Sequence, residues 1–232
     1  MDSTLLLIPG LAADATMWRA QLSGLADYSP RVTDVATRHG SIPSMAAALL
    51  EEHGGKLVLC GASMGGMIAM EAARQAPDRV AGLALLGTNA NPETEEMRAL
   101  RENAIASFEQ GRVREIIEPN VALAFHPDNA QKLADEYLRF VLEAGAEQLI
   151  RQNRAVITRP DARLHLARLP CPVLVMCGED DQLAPPGHSR QIAALCSNAR
   201  LVMVPRCGHM LTMEQPEFVN ATLRGWLDSI AA

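Results

Sequence analysis

Lys56-Leu57-Val58-Leu59-Cys60-Gly61-Ala62-Ser63-Met64-Gly65-Gly66 passes from an aliphatic run into a serine flanked by glycines and then into an apolar segment of helical length. The pattern is G-x-S-x-G in a strand, turn, helix context. Glycines at 61 and 65 leave room for a tight turn that lifts the serine into a strained, exposed position. The adjoining helix N-terminus favours negative charge beside it. A small serine in an ordinary tight turn is the plainer reading of the same residues.

Upstream, Thr4 to Ile8 is a short apolar run stopped by Pro9-Gly10, and downstream Ala81 to Leu86 is another. Together with Leu57 to Cys60 they read as fully buried strands. Between them lie Ser44 to Glu52, apolar on one side, and Met64 to Gln75, apolar almost all round and ending before Pro77. This alternation predicts a parallel sheet with helices on both faces.

From about Pro92 to about Leu166 the periodicity is helical throughout. The candidates are Glu93 to Gln110, Val113 to Ala124, Asp128 to Glu143 and Ala146 to Ile157, separated by Gly111, Pro127 and Gly145. The strand signal returns at Pro172 to Cys177 and Arg200 to Val204, followed by helices at His188 to Leu195 and Pro216 to Ile230. We therefore expect one α/β domain over 1–232, with its core in 1–91 and 167–232 and a helical insertion over about 92–166.

Composition narrows the function classes. A formal net charge of -6 and a pI near 5.5 argue against nucleic acid or an anionic membrane as partner, because both select basic patches. A small molecule is the expected partner, and oligomeric state is left open. Leu5 to Ile8 is too short for a signal-peptide core and follows no basic leader, and no segment reaches transmembrane length, so a cytoplasmic location is expected. Cys60, Cys171, Cys177, Cys196 and Cys207 show no C-x-x-C spacing, so reduced structural thiols are expected rather than disulfides or a zinc site. No G-x-G-x-x-G, P-loop or histidine pair at metal spacing occurs, and no cofactor is expected.

A serine hydroxyl needs a neighbouring base to act as a nucleophile. Of six histidines, His209 alone follows a predicted parallel strand at its carboxyl end, where open α/β sheets place their sites. His39, His53, His126, His165 and His188 lack that placement and read as surface or packing residues. A carboxylate to orient the base is expected in the loop after the preceding strand, where Glu179, Asp180 and Asp181 compete.

These features together resemble the α/β-hydrolase family over nearly the whole chain, in the order serine, acid, histidine. The family's acid commonly stands three residues after the strand-ending glycine and shortly before a proline, which selects Asp181. The resemblance implies a catalytic set of Ser63, Asp181 and His209. It also implies an oxyanion hole formed by the backbone N–H of Met64 and of Leu11 in the loop Ile8-Pro9-Gly10-Leu11-Ala12. Pro9 stands where the family usually has histidine, which removes a side chain that often braces this loop. Pro9-Gly10 also reads simply as a turn. The family often has an additional antiparallel hairpin before the strand that begins here at Thr4, so a trimmed version is expected, and the resemblance implies about six parallel strands in the order 2-1-3-4-5-6, with the helical insertion as a cap.

For the pocket, Phe108, Phe125, Tyr137 and Phe140 are candidates either for lining or for cap core. Met67, Met70, Met210 and Met213 are likewise candidates for an apolar pocket or for packing. Arg98, Arg151 and Arg154 hint at an anionic substrate, yet residues 93–168 hold 11 Lys and Arg against 13 Asp and Glu, so solvated helix faces explain them better. The expected activity is hydrolysis of a small, largely apolar carboxylic ester or thioester through an acyl-enzyme. Alternatives are an enol-lactone hydrolase or a menaquinone-pathway type of lyase, then a cofactor-free perhydrolase or a ligand sensor that retains the fold.

Overall fold

An unbroken aliphatic run such as Leu5 to Ile8 arises where a strand is covered on both faces, and period-two alternation then sorts its side chains between two cores. A computed structural model describes residues 3–231. Six strands are present: Ser3–Ile8 (β1), Arg31–Val32 (β2), Lys56–Ala62 (β3), Val80–Leu86 (β4), Val173–Gly178 (β5) and Ala199–Val204 (β6). They form one sheet in the order β2-β1-β3-β4-β5-β6, and every pairing is parallel. The α/β-hydrolase architecture and strand order expected from the sequence are those observed.

Leu6, Ile8, Leu57, Leu59, Leu83, Leu85, Val173 and Val175 point into one core, under the helices Ile42–Glu52, Met64–Gln75 and Pro186–Leu195. Leu5, Leu7, Val58, Cys60, Ala84, Leu86, Leu174 and Met176 point into the other, against Arg19–Gly24 and Pro216–Ala231. Each leucine, isoleucine, valine or methionine among them contributes about 1.5–3 kcal/mol by leaving water. The edge strands are the two-residue β2 and the part-exposed β6. Short or partly covered edges of this kind offer little template for strand addition.

Local chemistry sets the helix ends. Ser41 and Ser44 form a reciprocal capping box with Pro43 in the first turn, so the helix begins at Ile42, two residues before the start read from periodicity. Thr94 caps the helix Glu95–Glu109 by accepting from Met97 N. The segment expected as a helix from Val113 to Ala124 is α-helical only over Val113–Ile117 and tightens to a 3-10 helix over Glu118–Ala124, where Pro119 lacks an N–H to donate. Pro127–Ile157 runs on as one helix interrupted at Gly145, whose φ of 75° and ψ of 167° suit glycine alone. Beyond this break the helix turns onto the sheet, with Leu149 in one core cluster and Ala155 and Val156 in the other.

A buried ion pair joins the two ends of the helical insertion. Arg159 Nη1 lies 2.9 Å from Glu93 Oε2, and Arg101 Nε lies 2.6 Å from the same oxygen. Burial by itself works to raise the Glu93 pKa, but the hydrogen bonds and charges of Arg159 and Arg101 outweigh it and hold the carboxyl below the usual range. The pair therefore contributes fully above the ordinary glutamate value of 4.5 and loses its contribution as pH falls through the lowered one. Glu93→Ala leaves Arg159 buried without its partner, and we expect a loss of about 3–5 kcal/mol in urea unfolding. We also expect the variant's stability to depend less on pH below that value than the wild type's. An unchanged midpoint would show that the pair holds nothing together.

Candidate active site

The strand β3 ends at Ala62, and the backbone reverses at Ser63 with φ 53° and ψ -118°, a conformation that L-residues avoid. The turn persists because its surroundings determine it. Ser63 N–H donates to Leu86 O at 2.9 Å, while Ser63 O accepts from Gly66 N at 3.0 Å and from Thr88 Oγ1 at 2.7 Å. The flanking glycines are needed for space. A methyl group on Gly61 would strike the Gly65 carbonyl, and one on Gly65 would strike the Ile8 carbonyl. The close approach of helix to strand at this serine thus depends on side chains that are absent.

Sheet register brings the other loops to the same edge. Ile8 pairs with Gly61, Ala62 with Leu86, and Gly178 with Val204. The segments that follow these residues therefore emerge side by side. Gly10 lies against Ser63, so that a methyl on it would stand 3.3 Å from Ser63 Cβ. Gly87 lies against the other pair of expected residues: a methyl there would be 3.1 Å from Asp181 Oδ2 and 3.4 Å from His209 Nδ1.

Asp181 and His209 are in direct contact, with His209 Nδ1 2.9 Å from Asp181 Oδ2 and 3.0 Å from Oδ1. A carboxylate only accepts, so the proton of this bond sits on Nδ1 and leaves Nε2 free to accept. Asp181 Oδ1 also takes the N–H groups of Leu183 at 2.9 Å and Ala184 at 2.8 Å, and its side chain is 0% exposed. Asp180, by contrast, has a part-exposed side chain and stands 3.7 Å from His126 Nε2. Ser63 Oγ makes no hydrogen bond to His209 in this structure. Hydrogen bonds between a nucleophile and its base are commonly long in a free enzyme and tighten only when substrate docks.

Around Ser63 two backbone donors are unengaged. Gly10 N–H points to Met17 Sδ at 3.4 Å, Ala12 N–H to Gln152 Oε1 at 2.7 Å, and Ala13 N–H to Gly10 O at 3.3 Å. Of these four successive amides only Leu11 N–H has no acceptor among the described residues. Met64 N–H, in the first helical turn after Ser63, has none there either.

Sequence reasoning missed two residues that shape the site. Glu214, buried with no cationic partner among the described residues, accepts from Gly208 N at 2.9 Å, Met210 N at 3.2 Å, His126 N at 2.8 Å and Asn129 Nδ2 at 2.9 Å. It thereby ties both sides of His209 to the start of the long helix. His209 N–H itself donates to Ala124 O at 2.9 Å. The second residue is Gln152, buried on the helix Pro127–Ile157. Neither carries a local signal, since what matters is the distant backbone each one meets.

The pocket candidates sort differently. Phe125, Tyr137 and Phe140 form an edge-to-face aromatic series with centroid separations of 5.5 and 5.0 Å inside the second core cluster, which also holds Phe108. Met67 and Met70 belong to one core cluster and Met210 and Met213 to the other. Arg98 pairs with Glu95, Arg154 with Glu109, and Arg151 donates to Thr37 O. Burial lowers the pKa of His165 and of His188, which suits neutral packing residues. All five cysteines are free and buried, and burial pushes the thiols of Cys177 and Cys196 up to about 11. Among the described residues no helix is long and apolar enough to cross a membrane.

A sequence model of the alpha/beta hydrolase family matches residues 5–222. The chain belongs to the alpha/beta hydrolase family and is a hydrolytic enzyme. It is 27% identical over 243 residues to a protein of Serratia proteamaculans (strain 568) named "Putative carbamate hydrolase RutD", covering 97% of this chain and 90% of that one. A thermophilic esterase from Thermogutta terrifontis, solved with malate bound, superposes with a TM-score of 0.91 at 30% identity over 99% of this chain and 91% of that one. The enol-lactonase from Burkholderia xenovorans LB400 superposes with a TM-score of 0.86 at 20% identity, covering 98% and 92%, a likeness of fold.

Proposed function

We propose that this chain is a serine hydrolase that cleaves small, largely apolar carboxylic esters or thioesters through an acyl-enzyme, with Ser63, His209 and Asp181 as its catalytic residues. The observation that carries this reading is the buried Asp181–His209 hydrogen bond at the sheet edge where Ser63 occupies a strained turn. In this reading Ser63 Oγ attacks the carbonyl carbon while His209 Nε2 takes its proton, and the imidazolium then protonates the leaving group. Water repeats the sequence on the acyl-enzyme. Asp181 fixes the ring with its proton on Nδ1 and stabilises the imidazolium. The unengaged N–H groups of Leu11 and Met64 hold the tetrahedral oxyanion, each worth about 2.7–4 kcal/mol in the transition state.

An uncharged acyl group suits the surroundings. Ala12, Ala13, Met17, Phe125 and Met210 around the site are buried apolar residues of one cluster, and the insertion arginines considered for an anionic substrate are engaged by protein acceptors. The same engagement tells against the enol-lactone and menaquinone-type alternatives, whose substrates are anionic. The test is turnover of p-nitrophenyl esters of increasing acyl length, with a p-nitrophenyl carbamate in the panel because one relative bears that activity in its name. We expect ester turnover with an optimum in chain length and none by Ser63→Ala. A folded wild type that hydrolyses no member of the panel overturns the reading.

A further inference from the structure

Proline stands at position 9 in the loop after β1, and the loop holds a demanding shape. Ala13 N–H bonds Gly10 O, closing a turn in which Ala12 is the third residue and has a φ of 61°. Turns that need positive φ at this place normally take glycine there. An alanine is strained by about 1–2 kcal/mol and relaxes unless something holds it. Gln152 is what holds it. It is 0% exposed, its Oε1 accepts from Ala12 N–H at 2.7 Å, and its Nε2 donates to Ala36 O at 3.1 Å. Of the two hydrogen bonds that fix the peptide planes on either side of Leu11, one is the local bond from Ala13 N–H to Gly10 O and the other is supplied from a helix 140 residues away in sequence.

We propose that Gln152 is the positioning residue of the oxyanion site: it locks the turn Gly10–Ala13 so that Leu11 N–H, the one unengaged amide of that turn, stays aimed beside Ser63. The proposal rests on the hydrolase reading for its catalytic part. Gln152 touches no reacting atom, and it acts through the orientation of Leu11. Because the helix after Gly145 carries it, the geometry of the oxyanion site is set by the inserted segment as well as by the sheet. Preorganised donors are effective because they need no rearrangement as charge develops, and a turn free to relax would forfeit that.

Gln152→Met tests this, since it retains length and apolar bulk and removes both hydrogen bonds. We expect kcat on the best p-nitrophenyl ester to fall about 10- to 100-fold, with KM changed by less than about 3-fold, a loss smaller than the roughly 100- to 1000-fold of an oxyanion donor removed outright because Leu11 N–H is displaced and not deleted. Amide hydrogen exchange at Ala12 should accelerate. In Gln152→Glu the buried acid is neutral through desolvation and offers one acceptor and one O–H donor, as the glutamine does. That variant should recover most of the lost kcat, and if the methionine variant does not fold, Gln152→Leu, which also lacks both hydrogen bonds, takes its place in the comparison. Wild-type kcat in folded Gln152→Met, a loss confined to KM, a glutamate variant no better than the methionine one, or unchanged exchange at Ala12 would each overturn the proposal. If wild-type protein shows no Ser63-dependent turnover, the hydrolase reading is what has failed, and exchange at Ala12 still decides whether Gln152 braces the turn.

Discussion

Ser63→Ala is expected to lower kcat on p-nitrophenyl esters by on the order of 10^5- to 10^6-fold while leaving the folded protein almost unchanged. The size follows from the role proposed for Ser63: loss of a nucleophile removes the covalent route altogether, and serine or histidine knockouts in comparable triads cost on the order of 10^6-fold. The small effect on folding follows from the structure. The Ser63 hydroxyl makes no hydrogen bond among the described residues, whereas the backbone of residue 63 bonds Leu86, Gly66 and Thr88. Alanine keeps that backbone and is no more strained at a φ of 53° than serine is. Thermal unfolding should therefore agree with wild type to within about 0.5 kcal/mol. Turnover in Ser63→Ala above about one per cent of wild type would mean that some other group attacks the substrate.

What the sequence reveals depends on how local each determinant is. β1, β3, β4 and β5 are legible because burial on both faces writes an unbroken aliphatic run into the chain. The break at Gly145 is legible for a similar reason, since only glycine tolerates its dihedral angles. β2 is not, because two residues at a sheet edge cannot display a period. Short segments such as Ala15–Trp18, Val35–Arg38 and Leu211–Glu214 escape likewise, each spanning about one turn. At the candidate site, G-x-S-x-G and the placement of His209 after a strand are local signals. The choice of Asp181 over its two acidic neighbours came from family resemblance alone. Gln152 and Glu214 were invisible because their partners are backbone groups fixed by tertiary contact: Gln152 bonds residue 12, and Glu214 bonds residues 126, 208 and 210.

Asp181→Asn should lower kcat by about 10^4-fold with little change in KM, because the surroundings of residue 181 dictate which way an amide must face. Oδ1 receives the N–H groups of Leu183 and Ala184, at 2.9 and 2.8 Å, so that position has to remain an oxygen. Facing an NH2 group toward those two donors would leave both unsatisfied in a buried site, at about 1–3 kcal/mol each. The asparagine Nδ2 is therefore driven to the place of Oδ2, 2.9 Å from His209 Nδ1. A donor there obliges Nδ1 to accept, which moves the ring proton to Nε2, the nitrogen that in the proposed mechanism takes the proton of Ser63. The ring stays in place in the wrong tautomer, so binding survives while chemistry fails. Asp180→Asn supplies the contrast. Its carboxylate is part-exposed and faces His126 at 3.7 Å, and kcat should stay within a few-fold of wild type. Should the two variants exchange these outcomes, the acid of the triad is Asp180 and the bond between Asp181 and His209 serves the fold alone.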